Sequence, residues 1–356
     1  MTTTKKSPYL GVIEGFFGRS WTFQERYDYA DFLKKVAYCF YIYAPKSDPF
    51  LRKSWQKNWS TETEKELQSL VKHYHSQGLD FGVGLSPFEI YRNYDESAQK
   101  KLAEKVGRLN ELDVDILCLL FDDMRGDLPA LAKTQIQITK DVLAKTTAKK
   151  VIMCPTYYSF DPVLGKVFGT MPEDYLEDLG SGLPSEVDIF WTGEKVCSDK
   201  YPDNHLKKVQ QLLKRKPFLW DNYPVNDGAK MSKYLHLKAF ENRSNTLDEL
   251  TSGHAVNPMN QPYLSRIPLQ TLSDSYAQGI HYQADQALDK SLKSNCGDAL
   301  AKQLKNDIDN FQEKGLDNFE LDQLIKKYAD LESPYATEIL AWLKGEYAFD
   351  PECLTD

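Results

Sequence analysis

The chain has 356 residues, 27% of them charged, and a formal net charge of −8 at neutral pH. This length fits one large domain with an appendage, and the acidic balance disfavours nucleic acid and anionic membrane surfaces as partners, because both require a basic footprint. Since no apolar stretch approaches the roughly 20 residues of a membrane span and residues 1–9 lack the apolar core of a secretory signal, we expect a cytoplasmic protein, with secretion after removal of a leader left open.

Short apolar runs rich in β-forming residues alternate with amphipathic stretches along most of the chain. The predicted strands are 10–16, 38–44, 81–85, 116–121, 151–154, 187–191, 217–220 and 253–256. The predicted helices between them include 22–36, 61–76, 98–112, 133–145 and 204–214. About eight alternations over roughly 250 residues predict an α/β fold, a (β/α)8 TIM barrel. An open doubly wound sheet is the alternative, although the first strand lacks the glycine-rich phosphate turn that normally follows it there.

The pattern changes after about residue 266 to helices without strands. Apolar residues at helical spacing cover 285–294, 298–313 and 318–347. We therefore predict a catalytic barrel over residues 1–265 and a small all-α C-terminal module over residues 266–356. Four aromatic residues of this module are expected to form its core rather than a ligand surface, namely Tyr328, Tyr335, Trp342 and Tyr347.

The six cysteines are far apart in the sequence. Cys39, Cys118 and Cys154 lie inside apolar, strand-like runs and are interpreted as reduced core thiols. No CxxC pair, Cys/His cluster or HExxH motif is present. We expect no metal ion and no cofactor.

The apolar run that ends at Phe121 is followed at once by two acids, Asp122 and Asp123. A run of this kind is typical of a parallel strand covered on both faces, and α/β barrels carry their chemistry where such strands end. Asp is also a favoured N-cap residue. Taken alone, the pair is therefore consistent with either catalysis or helix capping.

Other predicted strands also end on polar or aromatic clusters, which a barrel would bring to one mouth. The clusters are 14–18, 44–48, 154–158, 191–193, 220–227 and 257–260. Their aromatic, amide and carboxylate groups suit a neutral sugar, because rings cover its C–H face and forked polar groups bind its hydroxyls. Each cluster also has a structural explanation, such as a turn at 226–228 or a pair between Lys46 and Asp48.

Seven sequence strings resemble glycoside hydrolase family 84, the β-N-acetylglucosaminidases that include the O-GlcNAcases. They are GVIEGFFGR (11–19), YIYAPKSDP (41–49), LLFDDM (119–124), CPTYY (154–158), WTGEKV (191–196), WDNYPVND (220–227) and NPMNQ (257–261). The matches occur in order over residues 9–265 and imply a TIM barrel. Phe17 stands where the family commonly has Tyr and Ser47 where it often has Asp, a difference that bears on the leaving-group preference more than on the chemistry.

The resemblance implies a role for each matching residue. Asp122 would orient and polarise the 2-acetamido group of the substrate, and Asp123 would be the general acid and base. Tyr158 would steady the cyclised acetamido group, with Trp220 and Asn222 nearby. The remaining implied binding residues hold sugar hydroxyls, and they are Gly15, Lys46, Asp227 and Asn257.

Adjacent acids fit this chemistry better than the usual one. Ordinary glycosidases place two carboxylates on either side of the scissile bond, whereas substrate-assisted enzymes use the acetamide of the sugar as the nucleophile. We predict a retaining exo-β-N-acetylglucosaminidase that acts through an oxazoline on a β-N-acetylglucosaminide, which a glycoprotein or an oligosaccharide would supply.

Three alternatives stay open at this point. They are a hyaluronidase-like glycosaminoglycan hydrolase, a metal-dependent phosphohydrolase that uses Asp122 and Asp123 as ligands, and a catalytically silent sugar-binding module. The sequence indicates no oligomeric state.

Overall fold

The computed structural model describes residues 8–318 and 320–349, in which eight parallel strands close into a barrel. The strands are β1 Leu10–Glu14, β2 Phe40–Tyr43, β3 Asp80–Leu85, β4 Ile116–Leu120, β5 Lys150–Cys154, β6 Val187–Trp191, β7 Phe218–Asp221 and β8 Gly253–Val256. They neighbour one another in chain order, and β1 pairs with β8. This closure confirms the predicted TIM barrel and excludes the open sheet. Each predicted strand is present, with ends that differ by at most two residues.

Helices fill the connections and surround the barrel. They are α1 Phe23–Lys35, α2 Thr61–Ser76, α3 Glu96–Asn110, α4 Leu131–Leu143, α5 Pro162–Phe168, α6 Tyr175–Gly182, α7 Asp203–Leu213, α8 Gly228–Met231, α9 Leu247–Leu250, α10 Pro262–Gln278, α11 Ala284–Asp309, α12 Leu321–Ala329 and α13 Pro334–Leu343. Helix α1 begins at a capping box, in which Thr22 and Glu25 each accept the other's backbone N–H. Helix α2 buries Leu67, Leu70 and Tyr74 against the barrel, as its helical spacing predicts.

Burial on both faces explains why the strands are so apolar. All five residues of β4 are buried, because the helices cover the outside of the barrel and side chains fill its interior. The carboxyl ends of the strands point to the same side of such a barrel. The acids after β4 therefore lie at a mouth that the loops of the other strands also reach.

The C-terminal helices share a second core with barrel residues. Trp342 and Tyr328 are fully buried in it, Tyr335 and Tyr347 nearly so, and Leu264 of α10 belongs to the same cluster. The prediction that these aromatics form a core is confirmed. Because α10 spans residues 262–278, one continuous helix passes through the position of the predicted domain boundary.

Helix α13 also contacts α10 through a buried carboxyl group. Glu338 accepts hydrogen bonds from the backbone N–H groups of Tyr263 (2.9 Å) and Leu264 (2.8 Å), in the first turn of α10. These N–H groups have no partner within their own helix. Glu338 of α13 therefore caps the first turn of α10.

Several predictions concern single residues or the ends of the chain. Five cysteines of the described chain carry free thiols, and they are Cys39, Cys118, Cys154, Cys197 and Cys296. None of the helices in the described ranges is both long and apolar enough to cross a membrane. The outer ends of the two predicted domains, residues 1–7 and 350–356, lie outside the described residues.

Candidate active site

A pocket at the mouth of the barrel contains all nine residues that the sequence analysis selected. The lining residues are Gly15, Phe17, Lys46, Asp122, Asp123, Cys154, Tyr158, Thr192, Val196, Cys197, Trp220, Asn222, Val225, Asp227 and Asn257. They come from the last residues of β5 and β7 and from the loops that follow β1, β2, β4, β5, β6, β7 and β8. The closed barrel alone brings these distant segments together.

Two adjacent acids form the centre of this pocket. The side chain of Asp122 is 7% exposed and that of Asp123 is 26% exposed. Asp123 adopts a left-handed backbone conformation with φ of 57°, which an Asp residue tolerates better than most. The strand alternation ends at this turn, so both carboxylates reach the same pocket.

One lysine serves both acids. Lys46 donates a hydrogen bond from Nζ to Oδ2 of Asp122, and the same nitrogen lies 3.5 Å from Oδ2 of Asp123. The second oxygen of Asp122, Oδ1, is buried and has no hydrogen-bond partner among the described residues. A buried acceptor of this kind is costly unless a ligand donates to it. The geometry therefore leaves one acceptor position for an N–H or O–H group in the pocket.

Tyr158 contacts the more exposed acid. Its hydroxyl donates to Oδ1 of Asp123 over 3.1 Å. Burial, reinforced by the charge of Asp123, raises the pKa of Tyr158 well above its ordinary value. The hydroxyl is therefore held as a neutral donor that points at the pair of acids.

A small amide network forms one wall. Asn222 accepts hydrogen bonds at Oδ1 from Trp220 Nε1 (3.0 Å) and from Asn257 Nδ2 (3.0 Å), and it donates to the carbonyl of Val196 (2.9 Å). Asn257 in turn accepts from the N–H of Gly15 (3.2 Å). The wall is therefore ordered by contacts between four of the predicted residues.

Gly15 is required by the close approach of a ring. A Cβ atom at this position would lie 2.4 Å from Cζ2 of Trp220, which is far inside van der Waals contact. Any larger residue would push the indole ring out of its position in the wall. The close approach of the Trp220 ring therefore explains why the first glycine of EGFFG is needed.

Asp227 lies at another side of the pocket. Its Oδ2 accepts the backbone N–H of Phe17 over 2.8 Å. Loss of hydration raises the pKa of Asp227 to about 6, and the hydrogen bond from Phe17 opposes that rise. This carboxyl group therefore titrates just below neutral pH.

A buried ion pair holds the strand end that carries Trp220 and Asn222. Arg243 donates from Nε (2.7 Å) and Nη2 (2.8 Å) to the carboxylate of Asp221. Nε2 of His254 lies 3.1 Å from Oδ2 of the same carboxylate. Although burial opposes the effect, the charge of Arg243 lowers the pKa of Asp221 to about 2. Asp221 stays ionised and fixes the backbone between its two neighbours.

Several residues at or behind the pocket are not among those predicted from the sequence. Thr192 and Cys197 line it from the loop after β6, and the string WTGEKV already marked that strand end. Arg52 lies behind the acids and donates from Nη2 to the backbone carbonyl of Asp123 over 3.1 Å. Nothing in the sequence marked Arg52, because its partner is a backbone atom. Ser47, whose departure from the family pattern was noted, contacts Ser20 and does not line the pocket.

In the described ranges, no group of three or more His, Cys, Asp or Glu side chains is arranged to hold a metal ion. The pocket can instead supply three carboxyl groups, an ammonium group, a phenol, amides and an indole face. This set can accept an N–H, move a proton and bind hydroxyl groups.

Comparison with known proteins agrees with this chemistry. A family described as beta-N-acetylglucosaminidase matches residues 10–312. The proteins called Protein O-GlcNAcase from Rattus norvegicus and Mus musculus are each 27% identical over 280 residues, which cover 76% of this chain and 30% of theirs. A solved structure of a mutant O-GlcNAc hydrolase from Thermobaculum terrenum is 28% identical with a TM-score of 0.80, covering 95% of this chain and 81% of that one. The chain thus spans about 30% of the length of its mammalian relatives.

Proposed function

The chain belongs to the β-N-acetylglucosaminidase family of glycoside hydrolases, and we propose that it is a retaining exo-enzyme that removes terminal β-linked N-acetylglucosamine. The observation that carries this proposal is the pair of adjacent acids with unequal surroundings. Asp122 is buried, paired with Lys46 and has one free acceptor oxygen. Asp123 is more exposed and hydrogen-bonded by Tyr158.

Adjacent acids are poorly placed for the mechanism with a carboxylate nucleophile. That mechanism needs the two carboxyl groups about 5 Å apart on opposite sides of the anomeric carbon, and the inverting variant needs a wider gap. Asp122 and Asp123 share the Nζ atom of Lys46 on one side of the pocket. A nucleophile supplied by the substrate removes the need for a second carboxylate across the bond.

In the first step, the acetamide oxygen of the sugar attacks the anomeric carbon and the bond to the leaving oxygen breaks. Asp123 gives its proton to that oxygen. Asp122 accepts the acetamide N–H at Oδ1 and offsets the positive charge that develops as the oxazoline ring closes. In the second step, Asp123 takes a proton from water, which attacks the anomeric carbon and opens the ring. Two inversions at this carbon give net retention.

The wall residues bind the sugar. We assign Tyr158 to the acetamido group in its cyclised form, with Trp220 and Asn222 beside it. The N–H of Gly15 already donates to Asn257, so the carbonyl of Gly15 is the group that accepts a sugar hydroxyl. Lys46 donates to the same region of the ring.

Asp227 and Asn257 anchor the hydroxyls at the far end of the sugar. Oδ2 of Asp227 accepts the N–H of Phe17, which holds the carboxyl group at the side of the pocket where these hydroxyls would bind. An ionised carboxylate suits this task because it accepts hydrogen bonds at both oxygens.

We propose a glycosylated Ser or Thr of a protein as the aglycone, since the mammalian relatives are called Protein O-GlcNAcase and the Thermobaculum terrenum relative O-GlcNAc hydrolase. An oligosaccharide is the other source of the same terminal sugar. Glycosylated peptides and β-linked oligosaccharides, compared at equal concentration, distinguish the two.

The test is hydrolysis of aryl N-acetyl-β-glucosaminides by the wild type and by Asp123→Asn, with the anomeric form of the first product followed by NMR. We expect β-configured product. We expect Asp123→Asn to lose about 100- to 10,000-fold on a phenyl glycoside, as for general acids elsewhere, and much less on a dinitrophenyl glycoside. Equal losses on both, an α-configured product, or activity abolished by EDTA would contradict the proposal.

A further inference from the structure

Arg52 lies directly behind the proposed general acid, and we infer that it is a positioning residue for Asp123. It is 2% exposed and lies on the loop after β2. Its Nη2 donates to the backbone carbonyl of Asp123 over 3.1 Å. Because the carboxylate of Asp123 is the group that would exchange protons with the leaving oxygen and with water, this inference rests on the proposed function.

The backbone at Asp123 needs such a partner. A φ of 57° is uncommon for residues other than glycine and persists where the surroundings hold it. Two residues earlier the chain is still bonded to the barrel, since the N–H of Phe121 donates to the carbonyl of Cys154 over 3.0 Å. Asp123 lies two residues beyond that bond, and the hydrogen bond from Arg52 to its carbonyl fixes the plane of the peptide group that follows it.

Arg52 itself is held rigidly. Its Nη1 donates to the hydroxyl of Ser86 over 2.9 Å, and Ser86 directly follows β3. The guanidinium carbon lies 5.6 Å from the centre of the Phe88 ring and 5.9 Å from that of Phe17, within cation–π range. Arg52 therefore connects the segments that follow β3 and β4 and fixes their relative position.

The planar fork of arginine is suited to this geometry, because two different nitrogens reach two acceptors at a fixed angle. The ammonium group of a lysine can keep one of the two contacts. Methionine keeps the length of the chain and loses both. We expect loss of the guanidinium group to leave the fold intact but to let the turn at Asp123 move. Small displacements of catalytic groups lower the reaction rate strongly.

The expected defect differs from that of a general loss of folding. Protonation of the leaving oxygen matters most when the leaving group is poor. We expect Arg52→Met to lower kcat/KM by about 30-fold on a phenyl N-acetyl-β-glucosaminide and by less than about 3-fold on the dinitrophenyl one. KM should change by less than about 3-fold. Arg52→Lys and Ser86→Ala should give smaller losses with the same dependence on the leaving group.

Arg215 offers the matched control. It is a half-buried arginine that donates to the backbone carbonyls of Pro184 (2.6 Å) and Val187 (2.6 Å). Pro184 precedes β6 and Val187 begins it, so this site lies at the opposite end of the barrel. Arg215→Met also removes hydrogen bonds to backbone carbonyls. We expect it to lower the melting temperature without changing the ratio of the activities on the two substrates.

A double-mutant cycle with Asp123→Asn completes the test. If Arg52 acts through Asp123, the double variant should lie within about 3-fold of Asp123→Asn on the phenyl glycoside, because neighbouring residues in one function are not additive. Equal losses of Arg52→Met on both substrates, or full multiplication in the double variant, would overturn the inference while leaving the proposed function in place. A wild type that cleaves neither substrate would instead overturn the proposed function, and the inference with it. Should Arg52→Met fail to fold, Arg52→Lys and Ser86→Ala decide the question by the same ratio.

Discussion

Replacing Glu338 with glutamine should change how the stability of the protein depends on pH. Glu338 is 5% exposed and caps the first turn of α10 from α13. Burial raises its pKa from the ordinary 4.5 to about 8, although the hydrogen bonds from Leu264 and Tyr263 oppose the rise. A carboxyl group with this pKa is protonated in the folded protein at neutral pH and ionised in the unfolded chain.

The sign of the effect follows from proton linkage. Since the folded state binds this proton more tightly than the unfolded state, its stabilising effect is full below pH 4.5 and is lost as the pH rises to about 8. The interval of 3.5 pH units between these two values corresponds to at most about 5 kcal/mol, at about 1.36 kcal/mol for each unit. The loss should take place between the two pKa values, and no further change from this group is expected above them.

The assay is urea denaturation of the wild type and of Glu338→Gln at several pH values across this interval. The unfolding free energy of the wild type, relative to that of Glu338→Gln, should fall by several kcal/mol from low to high pH. Glu346→Gln, an exposed carboxylate that pairs with Arg19 near the end of the described chain, gives the background. A difference that stays constant, or that grows in favour of the wild type at high pH, would refute the argument.

Three further predictions concern the pocket. Asp122→Asn should lose at least about 100-fold on both activated and unactivated aryl glycosides and should bind a thiazoline mimic of the cyclised intermediate less tightly. A loss confined to poor leaving groups would contradict its role. Because the pKa of Asp227 is about 6, kcat/KM should fall as the pH drops below that value, and Asp227→Asn should raise KM and remove this limb; an unaltered limb would argue against the assignment. Gly15→Ala should raise KM and cost about 1–3 kcal/mol of stability through displacement of the Trp220 ring, as kinetics and melting would show, whereas an unchanged KM would place the ring away from the sugar.

The barrel could be predicted from the sequence because its strands are buried on both faces. A strand such as β4 leaves an apolar run that no solvent-exposed segment would carry, and it ends where polar residues begin. The core of the C-terminal helices was predictable for the same reason, since Tyr328 and Trp342 lie at the buried positions of two amphipathic helices, α12 and α13. The apolar pattern did not predict that α10 continues through the boundary proposed at residues 265 and 266. This helix packs into two cores, so its apolar residues show no break at that position.

The site was predictable at the level of residues and less so at the level of contacts. Once the strand ends were known, the barrel determined that Asp122, Tyr158 and Asp227 would lie in one pocket. The roles inherited from the family stay predictions. The left-handed turn at Asp123 and its support from Arg52 could not be predicted, because backbone conformation and bonds to backbone carbonyls leave no mark on residue identity.

The placement of both acids on consecutive residues has a consequence for robustness. Successive Cα atoms are separated by a covalent distance of about 3.8 Å, whereas glycosidases that recruit their acids from separate strands depend on the whole barrel for that spacing. Thermal motion of the mouth, or evolutionary change in the other loops, therefore leaves the Cα–Cα distance between Asp122 and Asp123 nearly unaltered. The loops at the mouth can therefore change in sequence while the chain itself keeps Asp122 and Asp123 adjacent.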